Sequence, residues 1–246
     1  MPKLESGAEL RIFYELKSTQ TEAKQVASTE GIDGPIWFVA LRQTTGYGRR
    51  GREWQQDVGD FSGTLALRNP DRFNSIGELT FITGLAVAKT LNQLADRGDV
   101  KIKWPNDVLV DGRKIAGILL ELVDDGAVAI IGIGVNIVSA PDGLDYPTAC
   151  LGDYCKAPPK PEAFANVLDE HFWRLQRLWR KEGFAPIRAA WVKHCTGLGY
   201  EITVRLPNET LTGTFDSIDE SGALLLRSGD ETQIIRAGDV FFRKPA

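Results

Sequence analysis

Three arginines, three glycines and a tryptophan are concentrated within nine positions of this chain. Residues 46–54 read Gly-Tyr-Gly-Arg-Arg-Gly-Arg-Glu-Trp. Glycine lets a backbone approach an anion closely, and arginine offers a planar fork of donors that suits phosphate or carboxylate. This stretch, called the Gly/Arg loop below, therefore predicts a loop that closes over an anionic ligand. A solvated basic turn or a site for nucleic-acid phosphates is the alternative that the segment alone leaves open.

A second group of reactive side chains surrounds a predicted hairpin. Residues 103–107 read Lys-Trp-Pro-Asn-Asp, and Lys114 follows the turn signal Asp111-Gly112. Because proline lacks an amide donor and tends to end strand pairing, we expect Asn106 and Asp107 at a strand end, where they can reach a ligand or a metal bound to it. The Lys114 ammonium could reach a carboxylate or phosphate in the same cleft. An ordinary turn beside a solvated lysine is equally consistent with this segment.

Two further segments offer uncharged groups to a ligand, and each is a weaker signal than the charged segments. Residues 132–136 read Gly-Ile-Gly-Val-Asn at a predicted strand end, where small residues leave room for a ring and Asn136 could hydrogen-bond it; close strand packing is the alternative. Ser18, Thr19 and Gln20 offer uncharged donors and acceptors that suit a urea or an amide, although helix capping explains them as well.

Hydrophobic periodicity predicts the elements that position these residues. Thr19 and Glu22 have capping-box spacing, which predicts a helix from Thr19 to about Thr29. Apolar residues at helical spacing predict helices at 76–94 and 161–181. Strands are predicted at 36–41, 62–68, 101–104, 108–110, 114–122 and 128–137. The turns between the last three strands are too short for parallel crossovers, so these strands should form an antiparallel meander.

The character of the chain changes after Gly197. Turn signals there separate short alternating segments near 200–206, 210–218, 223–228 and 231–236. This pattern predicts a small all-β unit, a barrel of about 50 residues. We therefore expect two domains, residues 1–196 and residues 197–246.

Composition limits the class of protein. The chain has 246 residues, of which 43% are hydrophobic and 25% charged, values typical of a globular protein. Its net charge of −4 argues against general nucleic-acid binding. No apolar run approaches the roughly 20 residues of a membrane helix, and no signal peptide is evident, so we expect a cytoplasmic protein. Cys150 and Cys155 match no zinc-ligand spacing with His171 or His194, and the chain's three cysteines do not suggest a disulfide framework.

The joint order of these segments resembles that of biotin protein ligases. Each segment is weakly specific alone, but the set is hard to reach by chance: residues 18–20, 43–54, 103–107, 114–119 and 132–137. The similarity runs from about residue 10 to the C-terminus. The fold that it implies is α+β, a mixed and largely antiparallel sheet flanked by helices as in class II synthetases and lipoate ligases, with a small C-terminal SH3-like barrel.

The resemblance also implies an activity. Members of this family activate biotin with ATP and Mg²⁺ to give biotinyl-5′-adenylate, then transfer biotin to a lysine of a carrier domain in a biotin-dependent carboxylase. We expect a monomer or homodimer without nucleic-acid or membrane partners. Some family members carry an N-terminal DNA-binding domain, which we do not expect here because only about ten residues precede the region of similarity.

Roles follow from position in the family's motifs. The family's Ser-Thr-Asn motif, which holds the biotin rings, falls on residues 18–20, and Gln43 would contact the ligand at the loop entrance. Arg49 and Lys114 would be the catalytic cations at the carboxylate and the α-phosphate. The predicted binding set is Ser18, Thr19, Gln20, Gln43, Gly46, Tyr47, Gly48, Arg49, Arg52, Trp54, Lys103, Asn106, Asp107, Lys114, Gly117, Gly134 and Asn136. Within it, Lys103, Asn106 and Asp107 would line the nucleotide side. Asn136 would lie near the adenosine.

Three positions depart from the family's pattern. Tyr47 stands where the family has arginine and offers only one neutral hydrogen bond. Gln20 replaces asparagine and is one methylene longer, and residues 57–62 differ from the family's Gly-Asn-Leu stretch. These departures leave open a related ligase for lipoate or another cofactor acid, or a non-catalytic protein that binds biotin or its adenylate. We also expect residues 46–60 to be mobile without ligand and to order over it.

Overall fold

Two β-sheets organise the chain. The computed structural model describes residues 3–68 and 77–242. The first sheet has seven strands in the order β1-β2-β3-β7-β6-β5-β4. Its strands are β1 (Glu9–Leu16), β2 (Ile36–Gln43), β3 (Phe61–Arg68), β4 (Val100–Lys103), β5 (Asp107–Val110), β6 (Arg113–Val123) and β7 (Val128–Val135). Each strand that the periodicity predicted in this region is present, with ends shifted by a few residues.

Connection length explains the mixed character of this sheet. β1 and β2 pair in parallel because a helix crosses between them, whereas a tight turn permits only antiparallel pairing. The remaining neighbours are antiparallel, and the predicted meander of β5, β6 and β7 is confirmed. Its first turn places Asp111 at φ 48° and Gly112 at φ 74°, in the left-handed region that Asp-Gly turns favour.

Four helices cover the two faces of this sheet. They are α1 (Thr19–Thr29), α2 (Glu78–Leu94), α3 (Pro161–Glu182) and α4 (Phe184–His194). Helix α1 packs Ala23 and Val26 against β2 and β7 on one face, while α2, α3 and α4 pack together on the other. Helix α2 is buried along nearly its whole length. Helix α1 covers only part of its face, and the strand positions beside it, which include Ser62, Thr64, Gly117, Gly132 and Gly134, remain open to a ligand.

The predicted bounds of α1 are confirmed, but the predicted capping box is wrong. The N-cap residue is Ser18, whose Oγ accepts from the Thr21 amide at 3.4 Å. The Thr19 hydroxyl instead donates to Gln43 Oε1 at 3.0 Å, so a tertiary contact has replaced the local one. The predicted start of α2 at Ile76 lies outside the described residues. No helix in the described ranges combines the length and apolar character that a membrane span requires.

The C-terminal region forms a second, antiparallel sheet. Its strands, in the order β11-β10-β9-β8-β12, are β8 (Glu201–Arg205), β9 (Thr210–Ile218), β10 (Leu224–Ser228), β11 (Glu231–Ile235) and β12 (Asp239–Phe242). The four predicted strands are present, and β12 was missed. The Trp104 indole N–H donates to the Gly222 carbonyl at 3.0 Å, and Arg188 Nε donates to the Ile218 carbonyl at 2.8 Å. These contacts hold the second sheet against the end of β4 and against helix α4.

Candidate active site

A cavity of about 420 Å³ lies between the Gly/Arg loop, the meander and strand β12. The predicted site residues that line it are Ser18, Thr19, Gln20, Gln43, Tyr47, Gly48, Arg49, Arg52, Trp54, Lys103, Asn106, Asp107, Lys114, Gly117 and Gly134. Residues separated by more than 100 positions in the chain thus meet in one place. Of the predicted set, only Gly46 and Asn136 lie outside the wall.

Cationic side chains from three elements converge on one side of the cavity. Arg49 Nη1 donates to Asn106 Oδ1 at 3.0 Å, and Lys114 Nζ lies 2.8 Å from Asp107 Oδ1. Burial lowers the pKa of Arg49 and that of Lys103, although nearby carboxylates act in the opposite direction. The protein therefore holds several cations that are poorly hydrated and only partly compensated. An anionic ligand would find its strongest interactions here.

The second sheet supplies a carboxylate that anchors the Gly/Arg loop. Asp239 Oδ2 accepts from Arg50 Nη1 and Asp239 Oδ1 accepts from Arg52 Nη2, both at 3.0 Å. Arg49 Nη1 lies 3.9 Å from the same carboxylate. Asp239 is the first residue of β12, and it was absent from the predicted set because no local pattern links it to the loop.

The ring of Trp54 packs against two facing glycines. Gly117 on β6 is paired with Gly134 on β7, and a Cβ atom added to Gly134 would collide with the Trp54 indole. A Cβ on Gly117 would lie 3.4 Å from the same ring. The Lys114 ammonium lies 5.9 Å from the ring centroid. Gly117 and Gly134 therefore leave room for a planar ring against the backbone, and the side chain of Trp54 occupies that room.

Neutral polar groups line the other end of the cavity. Gln43 Oε1 accepts from the Thr19 amide at 2.7 Å, and Thr64 Oγ1 lies 2.9 Å from Thr19 Oγ1. Ser62 Oγ is buried without a hydrogen-bond partner among the described residues. Ser62 and Thr64 were predicted only as part of β3. Their spacing of two residues puts both on one face of that strand, and this spacing could have marked them as a pair of polar groups facing a ligand.

A carboxylate on β6 connects Gln20 and Tyr47. Glu121 Oε2 accepts from Gln20 Nε2 at 2.8 Å and from the Tyr47 hydroxyl at 3.2 Å, while Oε1 accepts from Lys24 Nζ at 2.9 Å. Burial acts to raise the pKa of Glu121, but the hydrogen bonds from Lys24 and Gln20 outweigh it and hold the pKa below its ordinary 4.5. The carboxylate is therefore ionised at neutral pH. Glu121 was also absent from the predicted set.

Gly46 and Asn136, the two predicted residues that do not line the cavity, contact residues near it. A Cβ atom on Gly46 would lie 2.7 Å from Gln43 Nε2 and 2.9 Å from the Trp54 carbonyl oxygen, so glycine permits the base of the loop to close. Asn136 is buried, and its Nδ2 donates to the Ala149 carbonyl at 3.1 Å. This contact braces the chain after β7, and Asn136 is not among the residues that line the cavity.

The cysteines and histidines lie apart from this cavity. Cys150, Cys155 and Cys195 are free thiols. His171 Nε2 lies 2.8 Å from Gln93 Oε1, on the helical side of the sheet. Over residues 3–68 and 77–242, no cluster of three or more His, Cys, Asp or Glu side chains is arranged to hold a metal ion.

Comparison with known proteins agrees with this geometry. Residues 12–137 match the biotin/lipoate A/B protein ligase family, and residues 197–243 match the biotin protein ligase C-terminal domain. A biotin–[acetyl-CoA-carboxylase] ligase from Paracoccus denitrificans is 41% identical over 236 residues, which cover 92% of this chain and 97% of that protein.

Two solved structures have the same fold. The biotin protein ligase of Aquifex aeolicus in complex with biotin and ATP superposes with a TM-score of 0.84 at 24% identity, over 96% of this chain and 99% of that one. The Leishmania major enzyme in complex with biotinyl-5-AMP gives 0.68 at 26% identity, over 93% and 99%. The family match over just over half of the chain, with the Paracoccus relative, shows that this chain belongs to the biotin protein ligase family.

Proposed function

We propose that this protein joins biotin to ATP as biotinyl-5′-adenylate and then transfers biotin to a lysine of the carrier domain of a biotin-dependent carboxylase. One observation carries the proposal. Arg49 and Lys114 line one cavity together with the cations Arg52 and Lys103, with the ring of Trp54 and with neutral polar side chains, which are Ser18, Thr19, Gln43 and Thr64. A molecule with an uncharged ring system, an apolar tail and a terminal carboxylate matches this combination of surfaces.

The first step joins two anions. A carboxylate oxygen of biotin attacks the α-phosphorus of ATP, an oxygen–phosphorus bond forms, and pyrophosphate leaves with the electron pair of the broken bond. Arg49 and Lys114 offset the repulsion between the reactants and the charge that builds on the phosphoryl oxygens. Loss of one such preorganised donor typically costs about 2.7–4 kcal/mol of barrier.

Two carboxylates hold the cations of the cavity in place before substrates bind. Asp107 pairs with Lys114, and Asp239 pairs with Arg50 and Arg52. Without these acids the cations would repel one another at close range. When substrates bind, a carboxylate or phosphate oxygen takes the place of Asp107 at Lys114, whereas Asp239 continues to hold the loop, so the cations are positioned in advance and little reorganisation is needed.

The second step forms the amide. The neutral amine of the carrier lysine attacks the acyl carbon of the adenylate, AMP leaves with the electrons of the acyl–oxygen bond, and the nitrogen loses a proton. The adenylate must be kept from water until the carrier arrives. The Gly/Arg loop, fastened to β12 through Asp239, closes the cavity on that side.

The biotin rings would lie at the neutral end. Ser18, Thr19, Gln43 and Thr64 present hydroxyl and amide groups there, and the unpartnered hydroxyl of Ser62 is free to bind a ureido nitrogen or oxygen. The Trp54 ring on its glycine floor forms an apolar wall towards Lys114. This surface suits the tail that joins the rings to the carboxylate.

Mg²⁺ would enter with ATP. The Asp107 carboxylate lies in the cationic part of the cavity, and oxygen donors of this kind are those that Mg²⁺ prefers. With the adjacent Asn106, it fits a role in holding the ion, which would offset phosphate charge.

We also infer the coarser organisation. Residues 1–196 form the catalytic domain and residues 197–246 an SH3-like barrel, an assignment supported by the five antiparallel strands β8 to β12. The protein acts in the cytoplasm as a monomer or homodimer, without a nucleic-acid or membrane partner.

Pyrophosphate release tests the first step. Purified protein with ATP and Mg²⁺ should release pyrophosphate when biotin is added, in an amount close to one equivalent if the adenylate is retained. Lipoate in place of biotin is the matched substrate control. Release with lipoate alone, or with neither acid, would refute the proposed function.

A further inference from the structure

The two motif residues that depart from the family's pattern meet on one side chain. Gln20 and Tyr47 belong to different elements, 27 positions apart, yet both donate to Glu121 Oε2, at 2.8 Å and 3.2 Å. Lys24 donates to the other oxygen of the same carboxylate. Glu121 thus touches the neutral end of the cavity through one partner and the Gly/Arg loop through another.

We propose that Glu121 is a positioning residue that fixes the neutral end of the cavity through Gln20 and latches the Gly/Arg loop through Tyr47. The identity of the ligand in this proposal rests on the proposed function. Glu121 would therefore couple recognition of the ring system, through Gln20, to closure of the loop, through Tyr47.

Gln20 shapes the recess and does not donate to the ligand. Its two amide hydrogens are directed to Glu121 Oε2 and to the Ile130 carbonyl, the latter at 3.2 Å. Its Oε1 lies 3.3 Å from Thr64 Oγ1. A Cβ on Gly132 would lie 2.5 Å from that oxygen, so the side chain is packed directly on the strand. Gln20 is therefore held as a fixed end wall, and Glu121 determines which way its amide faces.

Tyr47 acts as the latch of the loop. Its hydroxyl reaches across to Glu121, and its ring lies 5.4 Å from the Lys24 ammonium. The backbone of Tyr47 forms a β-bridge with Glu53 across the base of the loop. Asp239 anchors the arginines of the same loop from the opposite side. The loop is thus fastened on both sides. Only the contact at Tyr47 shares its acceptor with Gln20 at the neutral end of the cavity.

The charge on Glu121 makes this latch stronger than a neutral contact. Hydrogen bonds to an ionised acceptor are worth roughly twice those between neutral groups. Lys24 and Glu121 are each 31% exposed at the side chain, so their ion pair is screened by solvent and contributes modestly. The contacts that face inward, from Gln20 and Tyr47, are those that carry the link.

Cleavage of the ligand-free loop by trypsin tests the latch directly. Arg49, Arg50 and Arg52 are trypsin sites within the loop, and mass spectrometry identifies which bonds are cut. Tyr47→Phe removes only the hydroxyl, and we expect cleavage at these sites to be about ten times faster, whereas cleavage elsewhere stays unchanged. Tyr14→Phe, at an exposed tyrosine on β1, is the matched control and should cleave like the parent.

Biotin titrations without ATP test the link. Glu121→Gln should bind biotin about ten times more weakly and should also expose the loop, and saturating biotin should slow loop cleavage in the parent more than in Tyr47→Phe. Lys24→Met should change biotin affinity by less than threefold.

Loop cleavage within twofold of the parent in both Tyr47→Phe and Glu121→Gln would overturn the proposal. If the parent bound no biotin, the proposed function would fail, and the ligand-free cleavage rates would still decide whether Glu121 is a latch.

Discussion

Asp239 Oδ1 accepts a hydrogen bond from Arg52 Nη2 at 3.0 Å, across 187 positions of the chain. This contact joins the last strand of the C-terminal sheet to the loop that closes the cavity. The second sheet is therefore part of the site's machinery, and changes in it should affect the reaction without any contact to the reacting atoms.

Removing the Asp239 charge should loosen the loop. Solvent-accessible ion pairs contribute about 0.2–1 kcal/mol each, so Asp239→Asn, which weakens the pairs with Arg49, Arg50 and Arg52, should raise the amount of free biotinyl-adenylate escaping into solution by about fivefold. Chromatography of the reaction mixture measures it. Asp216→Asn, which breaks an ion pair with Arg227 elsewhere on the same sheet, should leave the escape unchanged; equal escape from both variants would contradict this role.

Lys114→Ala should abolish adenylation while the fold persists. The Lys114 ammonium would be the donor at the carboxylate and the α-phosphate, and its loss should slow pyrophosphate release by about 10²–10³-fold. Lys101→Ala is the control, because Lys101 pairs with the exposed Asp99. Circular dichroism should be unchanged in both. Adenylation by Lys114→Ala at the parent's rate would remove the assigned role.

Arg49→Gly should release the activated intermediate. Arg49 fastens the loop to Asn106 and would hold the acyl-phosphate, so its loss should let biotinyl-adenylate diffuse away and label lysines on unrelated proteins. Blotting for biotin on added albumin measures this. Arg42→Gly is the matched variant, since Arg42 pairs with Glu15 and does not line the cavity. Labelling confined to the carrier domain in Arg49→Gly would contradict the account.

Lys103→Met should stabilise the ligand-free protein and weaken ATP binding. Burial lowers the pKa of Lys103, which means that the folded state disfavours its charge. This cost is fully present at neutral pH and fades as pH rises through the folded-state pKa, below the ordinary 10.5. We expect the melting temperature at pH 7 to rise by about 2–4 °C, which corresponds to a gain of about 1 kcal/mol in the free energy of unfolding for a chain of this size. A lower melting temperature would show that the charge is fully compensated.

Local pattern predicted most of the first sheet, because strands such as β2 and helices such as α1 are defined by neighbours in sequence. Helix α4 was missed because Pro186 suggests a break, although proline is tolerated in the first turn of a helix. Strand β12 is only four residues long and has little periodicity to detect.

The motif residues could be predicted because each lies in a short segment, but their partners could not. Asp239 and Glu121 are ordinary acids in sequence, and they gain their roles only when the fold places them beside the loop and Gln20. Asn136 lies in one of the predicted motifs, yet it is not among the residues that line the cavity, and its Nδ2 donates to the Ala149 carbonyl.

The most direct test is mass spectrometry of an unmodified biotin carrier domain incubated with the protein, ATP, Mg²⁺ and biotin, with lipoate and its own carrier domain in parallel. The account predicts the addition of one biotinyl group to one lysine of the biotin carrier and no lipoyl addition. No transfer of biotin, or transfer of lipoate instead, would contradict it.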